Sequence, residues 1–192
     1  MTKRIIGLTG GIATGKTTVA NYLAERYNLT ILDADIYARE AVSIGSPLLQ
    51  EIAARYGRKI LLADGSLDRQ QLGVIIFNNP SERQWLEQLI HPYVRERFIN
   101  KMAELSAPTV VWVVPLLFEA GMSDSVTEIW VVICSEQQQL KRLIQRNNLT
   151  LEAAQARINS QLPLAEKVAR ANVVLDNSSS LEMLLKQVDA AI

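Results

Sequence analysis

Five short runs of nearly unbroken apolar residues, separated by stretches with helical spacing, predict an α/β protein built on a parallel sheet covered on both faces. A glycine-rich turn joins the first run to the first helix. A long helical stretch without strand signals follows the second run. Together these observations predict three layers, helix on sheet on helix, with five parallel strands, a helical insertion and a smaller mobile segment. The first run, Arg4–Thr9, is a buried strand. Lys16–Tyr27 follows as a helix, with Val19, Leu23 and Tyr27 on one face. The second strand is Thr30–Leu32. Residues 36–107 are too many for a simple crossover and read as an insertion. Its helical runs, such as Pro47–Tyr56 and Pro80–Leu105, are broken at Ala63-Asp-Gly65 and Asn78-Asn-Pro80. Strands return at Thr109–Val114, Glu128–Ile133 and Val173–Leu175. Between the last two lie a helix, Gln137–Arg146, and a further helix start, where Thr150 is the N-cap and Glu152 occupies the first turn. Ser178–Ser180 caps a final helix, Leu181–Ala191. The expected organisation is a core of residues 1–35, 108–136 and 168–192, an inserted domain of 36–107, and a lid of 137–167.

Composition narrows the function. The chain has 192 residues, 48% hydrophobic and 21% charged, ordinary for a globular protein able to bury roughly 70% of its unfolded surface. Lys+Arg and Asp+Glu are 20 each, so the net charge is zero, which argues against general nucleic-acid affinity. The single cysteine, Cys134, follows an apolar run and reads as a packed strand residue; no internal disulfide is possible. A lone histidine, His91, cannot build a multi-histidine metal site. No apolar run has the length of a membrane span, and no signal peptide precedes the first strand. The expectation is a cytoplasmic protein with no nucleic-acid or membrane partner; oligomeric state is not readable.

The sharpest motif is Gly10-Gly-Ile-Ala-Thr-Gly15-Lys16-Thr17, which fits the G-x-x-x-x-G-K-[ST] phosphate-binding loop. It sits between strand and helix, the context that makes the string a site. Gly10, Gly11, Ile12, Ala13, Thr14, Gly15 and Thr18 would turn backbone amides around phosphates at a helix N-terminus. Lys16 would reach the β- and γ-phosphates of ATP, and the Thr17 hydroxyl would bind Mg²⁺. The fold is therefore expected to be that of P-loop nucleotide-binding proteins, with the ligand at the carboxyl ends of the strands.

Three further features lie at the same rim. In Leu32-Asp-Ala-Asp35, Asp33 would end the second strand, on the tip neighbouring the loop, where a carboxylate can accept the proton of a substrate hydroxyl. A helix N-cap is its alternative reading, and Asp35 with Arg39 reads as a helical ion pair. Arg142 and Arg146 share a helix face and suit a lid that swings over phosphates, with Arg157 and Arg170 weaker candidates of the same type; surface arginines are the alternative. Val114-Pro-Leu-Leu-Phe-Glu119 would form a wall for an organic acceptor, or a hydrophobic plug. No Asp ends the third strand, and D-x-x-G and N-K-x-D are absent, so nucleotide-driven switching is not expected. Residues alone leave open a small-molecule kinase of another kind, or a non-catalytic nucleotide-binding module.

The chain resembles the dephospho-coenzyme A kinases. The resemblance rests on Gly7-Leu-Thr-Gly-Gly-Ile12 with Gly15-Lys-Thr17, Leu32-Asp-Ala-Asp35 with Ala38-Arg39, Leu67-Asp-Arg69 with Leu72, and Arg83 with Leu86 leading to His91-Pro92 and Val94. It continues through Pro115-Leu-Leu-Phe-Glu119, Arg146-Asn-Asn148, Ala156-Arg157-Ile158, and Ala171-Asn172 to Asp176-Asn177-Ser178. It implies ATP-dependent phosphorylation of the ribose 3′-hydroxyl of dephospho-CoA, giving CoA and ADP, by a nucleotide-binding core, a helical substrate domain and a lid. It implies Asp33 as base, Lys16, Arg142 and Arg146 at the transferring phosphate, and Asn177 near adenine. On the acceptor side it implies Thr9, Asp33, Arg39, His91, Leu116 and Phe118. Three positions depart from the pattern. Thr17 stands where the family often has Ser, and it keeps the hydroxyl for Mg²⁺. Asn177 is followed by serines where the family commonly has a Gly. Ala13 replaces a usual Gly, and a positive φ there would strain the loop.

Overall fold

The computed structural model describes residues 3–192. By internal contacts the chain divides into two units: the described residues through Asp33 together with Ser106–Ile192, and Ala34–Leu105.

The first unit holds a five-stranded, wholly parallel sheet: β1 Arg4–Gly10, β2 Thr30–Asp33, β3 Thr109–Val113, β4 Glu128–Ile133 and β5 Val173–Asp176, ordered β2-β3-β1-β4-β5. β1, the glycine-loop strand, is central and seven residues long, whereas the edge strands β2 and β5 have four each. Asp33 pairs with Val113, and Val113 with Leu8. The expectation that Asp33 occupies the neighbouring strand tip is thus corrected: β3 lies between, because the chain crosses over β3's position and fills it only after the insertion. The rim itself is as expected.

Ile6 and Leu8 of β1, Val111 and Val113 of β3, and Trp130 and Val132 of β4 face one side. There they pack with Val19 and Leu23 of helix α1, Lys16–Tyr27, and with Leu184 and Val188 of α9, Leu181–Ala191. Alternate residues face the other way. At Gly7 an added Cβ would lie 3.0 Å from Val126 and 3.2 Å from Leu117, so this side is also closely covered. Helices α6, Glu136–Asn147, α7, Leu151–Asn159, and α8, Leu164–Ala169, connect β4 to β5. Thr150 caps α7 by accepting from Ala153 N at 3.2 Å, and Ser180 caps α9 by accepting from Met183 N at 3.3 Å, as expected. β4 ends at Ile133, so Cys134 lies just beyond the strand, yet it is buried.

The second unit contains α2 Ala34–Ala41, α3 Pro47–Tyr56, α4 Arg69–Asn78 and α5 Pro80–Glu104. Its core gathers Ala41, Val42, Leu49, Ile52, Ile60, Leu67, Leu72 and Leu86. Ser46 caps α3 through Leu49 N at 3.1 Å, with Pro47 at the first helical position, where a missing N–H costs nothing. Asn79 and Pro80 start α5 in the same way. The expected turn at Ala63-Asp-Gly65 is present, and Leu61 bridges Leu67 across it. Tyr37 of α2 meets Phe98 of α5 edge to face at 5.1 Å. Arg55 stacks 4.4 Å over Trp85 and donates to both Glu82 oxygens, at 2.7 and 2.9 Å, while Tyr56 donates to Glu82 at 2.5 Å. Those donors, Arg55 foremost, hold the Glu82 carboxyl down at about 2 from an ordinary 4.5.

Candidate active site

The glycine loop leaves the sheet at Gly10, whose φ is +145°, and enters α1 through Gly15, whose φ is +114°. The first turn of α1 carries no acidic residue, so the partial positive charge at its N-terminus is not offset there. A Cβ at Gly15 would lie 2.3 Å from Asn177 Nδ2. Only glycine therefore satisfies both the angle and the contact. Lys16 is buried and curls back over the loop, donating from Nζ to Gly11 O at 2.8 Å and Gly10 O at 3.3 Å. Thr14 Oγ1 donates to Gly11 O at 2.9 Å. Thr17 and Thr18 are exposed at the helix start.

Ala13 has φ +61°, the left-handed conformation that strains a residue with a β-carbon by about 1–2 kcal/mol. The preceding residue, Ile12, is held at both its backbone N–H and its carbonyl. Ile12 N donates to Gln161 Oε1 at 2.8 Å, and Ile12 O accepts from Gln139 Nε2 at 2.8 Å. Asn177 Nδ2 donates to Thr14 O at 2.8 Å, which places Asn177 beneath the loop. Arg142 Nη2 in turn donates to Asn177 O at 3.2 Å, and Gln138 Nε2 to Ser178 O at 2.8 Å. Arg142 Nη1 is buried with no hydrogen-bond partner among the described residues. Arg146 is exposed and donates to Asn147 Oδ1 at 3.0 Å; its charge, after burial, lowers the pKa of Arg157.

Along the rim, Asp33 is the last residue of β2, two strands from β1 and level with Leu8. Two strand spacings amount to about 9–10 Å, room for a reacting hydroxyl and phosphoryl group between them. Thr9 is buried and donates from Oγ1 to Pro115 O at 3.2 Å. Pro115 O also accepts from Lys167 Nζ at 3.1 Å. Lys167, fully buried, forms an ion pair with Glu119 Oε1 at 2.9 Å, and the same oxygen accepts from Leu162 N at 2.9 Å. Glu119 Oε2 is buried without a hydrogen-bond partner among the described residues. Leu116 and Phe118 are partly buried in the segment so fixed, with Arg170 stacked 5.4 Å over Phe118. Burial raises the Cys134 thiol pKa, which disfavours a reactive thiolate.

In the second unit, Arg39 is exposed, and its carbonyl accepts from Arg69 Nη2 at 3.4 Å. Burial, and then the charge of Arg39, lowers the pKa of Arg69. His91 is partly buried on α5, one residue before Pro92.

Sequence reasoning missed Gln139, Gln161 and Lys167. Gln139 sits in a run of glutamines and Lys167 beside Glu166, contexts that read as solvated helix surface. The available signal for Gln139 was its spacing four residues before Leu143, on the inward face of α6.

The dephospho-CoA kinase family model matches residues 4–183. A dephospho-CoA kinase of Trichormus variabilis is 70% identical over 192 residues, covering 100% of this chain and 98% of its own. Among solved structures, TT1252 from Thermus thermophilus has a TM-score of 0.81 at 33% identity, covering 100% of this chain and 97% of that one. The dephospho-CoA kinase from Campylobacter jejuni has a TM-score of 0.70 at 29% identity, covering 98% of this chain and 95% of that one.

Proposed function

Because the chain belongs to the dephospho-CoA kinase family, we propose a division of labour among its residues for that family's reaction. The enzyme uses ATP to phosphorylate dephospho-CoA, the last step of coenzyme A synthesis. The acceptor is the ribose 3′-hydroxyl, and the products are CoA and ADP. Gly10–Thr18 wraps the ATP phosphates, and Lys16 leaves the loop carbonyls for the β- and γ-phosphates, offsetting charge that spreads in the transition state. Asn177 supports the loop at the adenine side. Asp33 orients the ribose hydroxyl and takes its proton; its register beside Val113 and the strand-wide gap to β1 support that role.

Residues 137–167 act as the lid, and Arg142 and Arg146 bring charge to the phosphates. The unpartnered Nη1 of Arg142 supports a ligand contact, since a buried charged donor left unpaired is costly. Thr9, Leu116 and Phe118 form the acceptor wall, while residues 36–107 carry the rest of dephospho-CoA. There, the neighbouring Arg39 and Arg69 suit its diphosphate, and we assign the partly buried His91 of α5 to the same substrate. Thr17 is exposed at the start of α1, beside the loop. Its hydroxyl, with phosphate oxygens and water, would hold Mg²⁺, which would neutralise phosphate charge when bound. Among the described residues no helix is long and apolar enough to cross a membrane, and we place the enzyme in the cytoplasm.

The observation that carries this reading is the glycine loop, with Lys16 over it, on a rim shared with Asp33. The test is CoA formation by the purified protein from ATP, Mg²⁺ and dephospho-CoA, with Asp33→Asn alongside. The variant is expected to lose about 10²–10⁴ in kcat while keeping its ATP affinity. Retained turnover would remove Asp33 as the base, and no CoA from folded wild type would overturn the assignment.

A further inference from the structure

The Ile12–Ala13 turn combines two observations. Ala13 holds an angle that alanine resists, with φ +61°. The residue before it, Ile12, is gripped at both its backbone polar groups, by side chains from separate elements: Gln139 of α6 on the carbonyl of the Ile12–Ala13 peptide, and Gln161 from the segment joining α7 to α8 on the amide of the Gly11–Ile12 peptide, each at 2.8 Å. Gly11 makes the grip possible, because a Cβ there would stand 2.6 Å from Gln139 Nε2. Gln139 is buried, so its amide is committed to this contact rather than to water.

We propose that Gln139 and Gln161 are positioning residues for the phosphate loop, a two-sided clamp that keeps Ala13 left-handed and the loop competent for ATP. Neither residue touches the transferred phosphate. The clamp acts by fixing the two peptide planes that flank Ile12, the second of which carries the Ala13 amide. Without it, the Ala13 backbone relaxes toward negative φ, and only a fraction of the enzyme presents the cradle. Apparent ATP affinity falls by that fraction. A glycine at the same position has no such bias, so a loop carrying Ala13→Gly depends less on being held. The inference rests on ATP seating in this loop. It adds that the alanine of this chain is held left-handed by side chains from two other elements.

The experiment measures the ATP Kd by titration calorimetry, with the unfolding midpoint, for wild type, Gln161→Leu, Gln139→Leu, and each of these combined with Ala13→Gly. An αL bias of about 1–2 kcal/mol corresponds to roughly 5–30-fold in population. Each leucine variant is therefore expected to weaken ATP about tenfold in the alanine background, and about threefold or less in the Ala13→Gly background. The unfolding midpoint and the KM for dephospho-CoA should be little changed. Equal loss in both backgrounds, or loss under twofold in both leucine variants, overturns the clamp. If one leucine variant fails to fold, the other decides. Wild type that does not bind ATP at all would refute the functional reading instead, so the two failures are distinguishable.

Discussion

Replacing Lys167 by methionine should expose how strongly α8 is tied to the Pro115–Glu119 segment. Lys167 is fully buried; its loss removes the 2.9 Å ion pair to Glu119 and the 3.1 Å hydrogen bond to Pro115 O. What remains is a carboxylate whose side chain is 18% exposed, with Leu162 N donating to Oε1 and nothing donating to Oε2 among the described residues. Removing one partner of a buried pair costs about 3–5 kcal/mol. Partial solvent access to Glu119 favours the lower end, about 3 kcal/mol. For a chain of this length each kcal/mol moves Tm by about 2–4 °C, so a fall of roughly 6–12 °C is expected. The double variant Glu119→Leu/Lys167→Met removes both charges together and should lose much less, about 1 kcal/mol. The assay is urea unfolding read by tryptophan fluorescence, for wild type, both single variants and the double. A Lys167→Met loss under about 1 kcal/mol, or losses that simply add, would refute a coupled buried pair.

Two further outcomes follow from the geometry. Gly15→Ala forces a β-carbon into a φ of +114° and to 2.3 Å from Asn177 Nδ2; it should abolish measurable ATP binding by calorimetry while the core still melts cooperatively, and near-normal affinity would show that the loop tolerates a different path. Glu82, depressed to about 2 from 4.5 chiefly by Arg55, contributes stability that is present above about 4.5 and is lost as pH falls through 2. The difference in urea midpoint between wild type and Glu82→Gln, followed at Trp85, should therefore shrink steadily from pH 5 toward pH 2; a constant difference would mean the ion pair does not stabilise this unit.

Local signals made much of the fold legible. The helices Lys16–Tyr27, Pro47–Tyr56 and Leu181–Ala191 were bounded correctly because caps and a proline at the first turn mark their ends. Strands β1, β2 and β5 each run one residue further than their apolar pattern. Gly10 and Asp176 look like loop residues, and Asp33 is expected only at the strand's end, yet all three keep their pairings, to Val132, Ile133 and Val113 respectively. Strand order was not legible, since the position of β3 between β2 and β1 is set by packing across the sheet. In the site, the phosphate loop was written in contiguous residues. The residues that hold it, Gln139 and Gln161, were not, nor was Lys167, which holds the Pro115–Glu119 segment: these polar side chains are fixed by partners far away in sequence, Ile12 and Glu119.

The outer borders of the sheet have a bearing on how crowded copies behave. Each border is only four residues long, against seven at the centre. Two molecules meeting side by side can trade few main-chain bonds across so short a seam. The ladder that seeds fibres therefore finds little to grow from, and the protein should remain dispersed at high concentration for as long as it stays folded.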